Sequence, residues 1–530
     1  MNISGIMIVL ALTGACLGAD WRDEFRPQTE NWRSLAQELV IHNEAEPEIL
    51  DPARSKGVLE GRIESALFEG LVLLHPRTLE PVPGVASHWE VSEDRLTYTF
   101  HLRPEARWSD GKSVTAMDFV SSWRRVLDPA TASSYAAVID MVVGAEAMRS
   151  GKGGEPAIVA HDAQTLVVTL REPCPWFLEL CAFHTLLPVR IDSIEKFGTQ
   201  WNQPGKLISN GPFVLSEWLP RERLVVKRSA TYWDRDFVKL ESITFLPYED
   251  LETAYKLFRT GQIHWLAAVP PAKLDEVLDM PEFYAAPYFG TYFYRLNVTR
   301  PPLDDVRVRR AISLAIDRRQ ITRHITRAGE RPSGALCPPG TWYQPVAGPA
   351  FDIAAARAAL AEAGYGPGGK TLPTVELLYN SRALHRLIAE TVAQQLRQAL
   401  GIDVVTRNSE WKSYIAAMNR LDFDLVRSAW IGDYGDPDTF FTCFLSGNGN
   451  NRTGWANPTY DDLVRRSQTA ATLVQRQELL SQAEDLLVNQ ECPIVCLFHY
   501  VAQGLLADTV HGWASNVRDL REWRTVWLER

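Results

Sequence analysis

Residues 421–441 read LDFDLVRSAWIGDYGDPDTFF, and the prediction of the fold starts from this stretch. The apolar pair at 425–426 is predicted to end a buried strand, and the glycines and proline after Trp430 predict a loop that contains Asp433. Arg427, aromatic side chains and an acid therefore gather at one strand end. This combination suits a small zwitterionic ligand, because a guanidinium binds a carboxylate, an acid binds an amine and rings cover an apolar part. The alternative is an ordinary strand end whose charges pair with neighbouring groups.

Length and charge limit the classes of protein that the chain can represent. Its 530 residues exceed what one hydrophobic core normally supports, so two or three domains are expected. The chain has 55 basic and 65 acidic side chains and a net charge of −10. Because phosphate binding needs a basic surface, nucleic acid is excluded as the expected partner.

The N-terminus has the pattern of an export signal. Residues 6–12 are apolar but too few to span a membrane, and small residues follow them, so residues 1–19 are predicted to be a signal peptide. Residues 12–16 (LTGAC) resemble a lipoprotein box with the leucine one place too early. Lipidation of Cys16 and simple cleavage near Ala15 or Ala19 both remain open. Residues 20–40 would then form an N-terminal arm or tether.

The remaining cysteines do not predict a metal site. Their even number permits disulfides in an exported protein, but the sequence does not give the pairing, and buried thiols are the alternative. No Cys-x-x-Cys motif and no histidine–cysteine cluster occurs. These six residues are Cys174, Cys181, Cys337, Cys443, Cys492 and Cys496.

The first half of the chain predicts a small α+β unit between about residues 72 and 190. Residues 89–103 alternate between apolar and polar side chains, as a half-buried strand does, with His101 on the polar face. Thr115 and Asp118 form a capping box that predicts the start of a helix. Asp128-Pro129 is predicted to end that helix.

The second half predicts a parallel pair of strands. Residues 375–379 and 402–405 read as strands, and residues 384–400 as the helix between them. Ligands of such sheets gather at the carboxyl ends of the strands, so His385, at the start of the helix, is expected near the same crevice as Asp433. The side chains predicted to face inward are those of Leu384, Leu387, Ile388, Val392 and Leu396.

Enzyme signatures are not found in the sequence. There is no Gly-x-Ser-x-Gly elbow, no His-Glu-x-x-His motif and no kinase signature. Asp433 and Asp436 could act as a pair of catalytic carboxylates, but nothing else marks the sugar cleft that a glycosidase needs. The sequence therefore predicts that the protein is not an enzyme and uses no cofactor and no metal.

Several ordered motifs resemble one family along most of the chain. From about residue 41 onward the chain resembles the peptide-type solute-binding proteins of bacterial ABC importers, the extracytoplasmic family 5 proteins, and especially their oligopeptide-binding branch. The order and spacing of the motifs together carry the resemblance. They are residues 50–52 (LDP), 67–71 (LFEGL), 83–89 (PGVASHW), 108–111 (WSDG), 115–119 (TAMDF), 210–213 (NGPF), 305–309 (DVRVR), 361–365 (AEAGY) and 455–461 (WANPTYD).

The resemblance implies an α/β fold of the periplasmic-binding-protein type, a two-lobed clam of the type II or cluster C class with mixed sheets joined by a hinge. An additional α+β domain is inserted into it. The implied divisions are lobe I (residues 41–71, 191–287 and 504–530), domain II (residues 72–190) and lobe III (residues 288–503). We use these names below for these ranges.

The resemblance also implies roles for particular residues. Asp433 matches the acid that binds a peptide amine, and Arg427 and His385 match the groups that meet the peptide carboxylate. Lys56 stands where close relatives carry a glutamate that faces the ligand, which puts a preference for basic peptides in doubt. The other residues that the resemblance places at the ligand are Tyr135, Trp430, Val58, Tyr294 and Phe498.

The implied function is that of an extracytoplasmic receptor, monomeric and periplasmic, with or without a lipid anchor at Cys16. It would bind short oligopeptides in a cleft between the lobes and deliver them to the permease subunits of an ABC importer. Two alternatives remain. The cleft could take another solute, such as a murein peptide, a metallophore or a sugar, or the protein could be a hydrolase.

Overall fold

A computed structural model describes residues 20–340, 342–366 and 368–530, without the side chain of Lys412. The predicted signal peptide and Cys16 lie outside the described residues. The predicted arm packs on the body of the protein, where Phe25 is buried and the ring of Trp21 lies 5.9 Å from that of His75. The first strand of the main sheet begins at Glu38.

One mixed sheet of eleven strands runs through both lobes. Its lobe I part contains parallel and antiparallel pairs, and so does its lobe III part. The short strand Arg331–Pro332 pairs with strand Ile494–Leu506 and lies outside the main strand order. The order of the other strands is Val404–Ser409, Val375–Asn380, Leu425–Ile431, Phe283–Leu296, Ile494–Leu506, Trp265–Leu266, Glu38–His42, Ser242–Leu246, Arg223–Arg228 and Phe213–Leu219.

Two long antiparallel strands connect the lobes. Phe283–Leu296 has 14 residues and Ile494–Leu506 has 13, and they pair over almost their whole length. Their register is irregular between Pro287 and Thr291. The divisions expected at 287/288 and 503/504 fall within these strands, so any rotation between the lobes has to be absorbed by them.

Lobe I packs helices against its part of the sheet. Asp250 caps one of these helices by accepting a hydrogen bond from the Thr253 backbone N–H at 2.6 Å. The C-terminal pair of short strands, Val510–His511 and Trp527–Leu528, completes the lobe. The main helices of lobe I are Val58–Leu67, Ile191–Phe197 and Leu251–Arg259.

Domain II is a separate antiparallel sheet covered by helix Ala116–Leu127. The predicted capping box is present at the start of this helix, where the Thr115 N–H donates to the Asp118 carboxylate at 2.7 Å. The single strand predicted over residues 89–103 is wrong. The chain turns there because the Leu96 N–H bonds the Asp94 carboxylate and Arg95 adopts a positive φ of 60°. The strands, in their order across the sheet, are Ala86–Val91, Thr97–Leu102, Thr165–Thr169 and Ile158–Ala160.

Lobe III contains the predicted crossover. Val375–Asn380 and Val404–Ser409 are parallel, and helix Ala383–Leu400 joins them. Leu425–Ile431 is parallel to the first of these strands and antiparallel to Phe283–Leu296. The apolar pair at 425–426 therefore begins the central strand rather than ending it, because the pairing with Phe283–Leu296 continues to Ile431.

The inner face of the crossover helix differs from the prediction. Leu384 and Leu387 are 40% and 44% exposed, whereas His385 is buried. The buried stripe follows helical spacing from the histidine, so the imidazole takes a core position that the sequence pattern assigned to leucine. This stripe consists of His385, Ile388, Ala389, Val392, Leu396 and Ala399.

The other helices of lobe III cover both faces of its sheet. They are Val306–Leu314, Arg318–Ile321, Ile353–Glu362, Trp411–Asn419, Asp438–Phe441, Pro458–Thr469 and Leu473–Asp485. The six cysteines beyond Cys16 are all buried free thiols. Within the described ranges, no helix combines the length and the apolar character needed to cross a bilayer.

Candidate functional site

A cavity of about 400 Å³ lies where lobe I, domain II and lobe III meet. Its volume is within the range of small-molecule sites. Lobe I contributes Lys56 and Val58, domain II contributes Tyr135, and lobe III contributes Ile431 and Asp433. Four of the residues that the sequence predicted for the ligand therefore lie in one cavity, although the chain separates them by up to several hundred positions.

Asp433 supplies a carboxylate to this cavity. Its backbone is held on both sides, because its N–H donates to Thr439 Oγ1 at 3.2 Å and its carbonyl oxygen accepts from Arg518 at 2.7 Å. The carboxylate itself has no hydrogen-bond or ion-pair partner within the described part of the chain. Water reaches it, yet burial among the cavity walls raises its pKa, against the opposing effect of Arg518.

The loop that carries Asp433 is fixed by groups from the other two parts of the molecule. Glu179 of domain II forms an ion pair with Arg518 of lobe I at 2.9 Å and accepts a hydrogen bond from the backbone N–H of Gly435. The rings of Trp176 and Tyr434 stack with centroids 5.4 Å apart. The position of the acid therefore depends on how the three parts are arranged.

Asp436 has a different environment from Asp433. Its two carboxylate oxygens accept from Arg476 at 2.5 and 2.6 Å, and both side chains are buried. Trp342 donates to the same carboxylate at 3.3 Å. Because Asp436 is committed to this ion pair, the two acids do not form the pair of free carboxylates that a glycosidase uses.

Arg427 lies in a second cluster of polar and aromatic groups in lobe III. It donates to Tyr500 Oη at 2.9 Å and lies 4.8 Å from the centre of the Tyr292 ring. Its other hydrogen-bond partner is the amide oxygen of Asn380 at 3.5 Å. Among the described residues no carboxylate pairs with it. A guanidinium held only by neutral groups can bind an external carboxylate without losing an existing ion pair.

His385 lies beside Tyr292, and the centroids of the two rings are 5.6 Å apart. Its Nδ1 is buried and finds no hydrogen-bond partner in the described residues. Burial, together with Arg427 and Arg382, lowers the pKa of the imidazole to about 3, so it is neutral at neutral pH. The structure thus places the His385 and Arg427 side chains around the Tyr292 ring, outside the lining of the cavity that contains Asp433. Their contact with a peptide carboxylate stays a prediction.

Tyr294 and Phe498 complete this cluster. The Tyr294 ring lies 6.1 Å from the Tyr292 ring, and Phe498 stacks on Tyr292 at 4.8 Å. Both predicted residues are fully buried and neither lines the cavity. In this structure they support Arg427 from within the core, and a direct contact with a ligand remains a prediction.

The cavity and the cluster around Arg427 lie on the same face of strand Leu425–Ile431. Arg427 and Ile431 are four residues apart, so their side chains point the same way. At Gly290 an added Cβ would lie 2.3 Å from Ile431 Cδ1 and 3.1 Å from Tyr500 Cδ2, so both side chains pack closely over this glycine. Ile431 lines the cavity and Tyr500 holds Arg427, so Gly290 lies between the cavity wall and the support of the arginine.

Trp430 points to the opposite face of the strand. Its indole N–H donates to Thr439 Oγ1 at 3.2 Å, the same hydroxyl that receives the Asp433 N–H. It does not line the cavity. In this structure the tryptophan holds the loop of Asp433, and its predicted place in the ligand groove remains untested.

Some cavity residues were missed by the sequence reasoning. Arg518 lies 85 positions after Asp433 in the C-terminal segment, and no local pattern marks it. His184 also lines the cavity, with its ring 5.6 Å from that of Tyr135, and burial lowers its pKa to about 4. Neither residue belongs to a motif, so only the meeting of distant segments reveals them.

Comparison with known proteins identifies the family. The family model described as bacterial extracellular solute-binding proteins, family 5 Middle, matches residues 80–452. The periplasmic murein peptide-binding protein MppA of Escherichia coli K12 is 37% identical over 506 residues, which cover 93% of each chain. The periplasmic oligopeptide-binding protein OppA of the same strain is 35% identical over 493 residues, 90% of each chain.

The fold gives the same result. The structure of MppA described as its unliganded open form superimposes with a TM-score of 0.83 at 37% identity, covering 93% of this chain and 97% of that one. The predicted two-lobed α/β fold is thereby confirmed. The chain belongs to family 5 of the bacterial extracellular solute-binding proteins.

Proposed function

We propose that this protein is an extracytoplasmic receptor that binds a short peptide between its lobes and delivers it to the permease subunits of an ABC importer. The proposal rests on one observation above the others. Asp433 places an unpartnered carboxylate in a cavity that lobe I, domain II and lobe III enclose together. An anion in such a place stabilises the ammonium of a peptide and gains most when the cavity closes, because removal of water strengthens the pair.

The opposite end of the ligand would be met by Arg427 and His385. Arg427 is six positions before Asp433 in the sequence, which corresponds to at most about 20 Å between their Cα atoms along an extended chain. An extended peptide of up to about six residues covers this distance. The guanidinium, which pairs with no carboxylate among the described residues, and the imidazole nitrogen that has no partner there would then bind the terminal carboxylate, and Ile431 lies between the two ends.

Lys56 adjusts the proposed specificity. It is exposed, lines the cavity and has no ion-pair partner in the described part of the chain. A cation there favours a ligand that carries an acidic side chain and disfavours a basic one. The relatives are named for oligopeptides and for murein peptides, and both kinds of ligand fall within this proposal.

The remaining predictions belong to the same proposal. The family consists of binding proteins, and the commitment of Asp436 to Arg476 supports a role without catalysis. The relatives are named as periplasmic, which supports export of this chain, and a lipid anchor would be attached at Cys16. The long strands Phe283–Leu296 and Ile494–Leu506 would act as the hinge between the lobes.

Identification of the native ligand tests the proposal. The protein is purified without denaturation, and native mass spectrometry followed by fragmentation identifies what it carries. Peptides are expected, and calorimetry on the stripped protein should show that a peptide with a glutamate side chain binds more tightly than the same peptide with lysine. A sugar or a metallophore as the bound species, together with no binding of any peptide, would refute the peptide proposal.

A further inference from the structure

Two histidines and a glutamate meet on the outer face of domain II, away from the cavity. His88 and Glu90 lie on strand Ala86–Val91, and His101 lies on the neighbouring strand Thr97–Leu102. One ligating atom from each residue lies within 4.8 Å of the other two, and His101 Nε2 is 3.6 Å from the Glu90 carboxylate. None of the three residues lines the ligand cavity.

The register of the two strands creates this arrangement. Ala86 pairs with Leu102 and His88 pairs with His101, so the first strand contains one additional residue, Ser87, as a bulge. Without the bulge, His88 would pair with the buried Phe100 and face the core. The bulge therefore turns His88 to the outer face, directly opposite His101, where their rings stack at 4.4 Å.

The bulge residue also fixes the tautomer of His88. Ser87 Oγ lies 3.0 Å from the carbonyl oxygen of His101 and 3.0 Å from His88 Nδ1. A carbonyl oxygen can only accept, so the single hydroxyl hydrogen goes to it, and the hydroxyl oxygen accepts from His88 Nδ1–H. This leaves the lone pair on His88 Nε2, as in metal-binding histidines whose other ring nitrogen donates to a neighbouring oxygen.

His101 provides a second free nitrogen. Its Nε2 is shielded from water and has no hydrogen-bond partner in the described residues. We propose that His88 Nε2, His101 Nε2 and the Glu90 carboxylate bind a divalent transition-metal ion such as Zn²⁺, with water in the remaining position. Two imidazoles and one carboxylate are a common zinc donor set.

The test uses the full mature protein without an affinity tag, stripped with a chelator and titrated with Zn²⁺ against a chromophoric competitor. One ion per chain is expected. His101→Ala should weaken binding at least about tenfold, and Ser87→Ala, which removes only the partner of His88, by roughly tenfold or more. His161→Ala is the matched control, since the single ion pair of this exposed histidine within the described part of the chain is with the adjacent Asp162. This variant should stay within about twofold of wild type.

Peptide binding and circular dichroism should be unchanged in all these variants, because the cluster is separate from the cavity. If His101→Ala does not fold, Glu90→Gln and Ser87→Ala carry the test, since both change the site at the protein surface. The proposal is refuted if wild type binds Zn²⁺ no more tightly than these variants. It is also refuted if the His161 control loses as much affinity as they do.

Discussion

Replacement of Asp433 by asparagine tests the chemistry of the proposed site most directly. The change preserves the shape of the side chain and removes the negative charge that has no partner among the described residues lining the cavity. If that charge binds the ammonium of a peptide, the variant should bind free peptides more weakly and N-acetylated peptides almost as well as wild type does. The backbone contacts with Thr439 and Arg518 remain, so the loop should keep its position.

The magnitude follows from the environment of the carboxylate. Removal of one partner from a close hydrogen-bonded charge pair costs about 2–5 kcal/mol. Water reaches Asp433 in this structure, so the lower value of about 2 kcal/mol applies, which corresponds to roughly thirtyfold weaker binding. For the acetylated peptide the difference between wild type and variant should be within about twofold, because no ammonium is present to lose its partner.

Calorimetry on wild type and variant with both forms of one peptide gives a double-mutant cycle. Asp519→Asn is the matched control, because Asp519 lines the same cavity but its carboxylate is already paired with Arg521. Its replacement should change the affinities of both peptides by the same factor. The assignment of Asp433 to the amine would be refuted if Asp433→Asn weakened the free and acetylated peptides equally. It would also be refuted if Asp519→Asn discriminated between the two peptides as strongly as Asp433→Asn does.

The same measurement made at different pH values adds an independent check. The pKa of Asp433 is raised by burial, so the carboxylate becomes protonated at a higher pH than an ordinary aspartate does. Peptide affinity should therefore be constant near neutrality and fall as the pH decreases through that raised pKa. The Asp433→Asn variant should not show this step.

Three further predictions concern the rest of lobe III. Arg427→Met should weaken binding of free-carboxylate peptides by about 2–5 kcal/mol and leave C-terminally amidated peptides almost unchanged in calorimetry, and equal loss for both would contradict its role. Asp436→Ala should lower the free energy of unfolding by about 3–5 kcal/mol in urea titrations, because it leaves the buried Arg476 charge unpaired, and a loss below about 1 kcal/mol would contradict this. Burial lowers the pKa of His499 to about 3, so the unfolded chain binds more protons below pH 6.5 and stability falls toward acid. His499→Gln should therefore remove about 1.4 kcal/mol per pH unit of this dependence between pH 6 and 4, and an unchanged slope would contradict the assignment.

Local signals in the sequence predicted much of the fold. The capping box depends on Thr115 and Asp118, three positions apart, and the crossover around helix Ala383–Leu400 is marked by the periodicity of three consecutive segments, so the chain itself contains both patterns. The order and spacing of the motifs predicted the family. The single strand predicted over residues 89–103 failed because one positive-φ residue, Arg95, reverses the chain without interrupting the alternation of apolar and polar side chains.

The sequence predicted which residues belong to the candidate site but did not predict how they are arranged in space. The sequence named Asp433, Arg427 and His385, and tertiary structure decided that the acid lies in the cavity and the other two in a neighbouring cluster around Tyr292. The pairing of Arg518 with the loop of Asp433 joins segments 85 residues apart. No local pattern specifies such a contact, because it depends on how the two lobes are placed by the long strands that connect them.

The histidine pair of domain II shows the same division. The sequence alone placed His101 on the polar face of a strand and gave no sign of a metal site. One bulge residue, Ser87, changed the register and set His88 opposite it. The sequence by itself determined which side chains were available and which elements carry them, since propensity, capping and periodicity act over a few residues. Only the tertiary structure decided which of these side chains meet, because register and lobe placement follow from the packing of the whole chain.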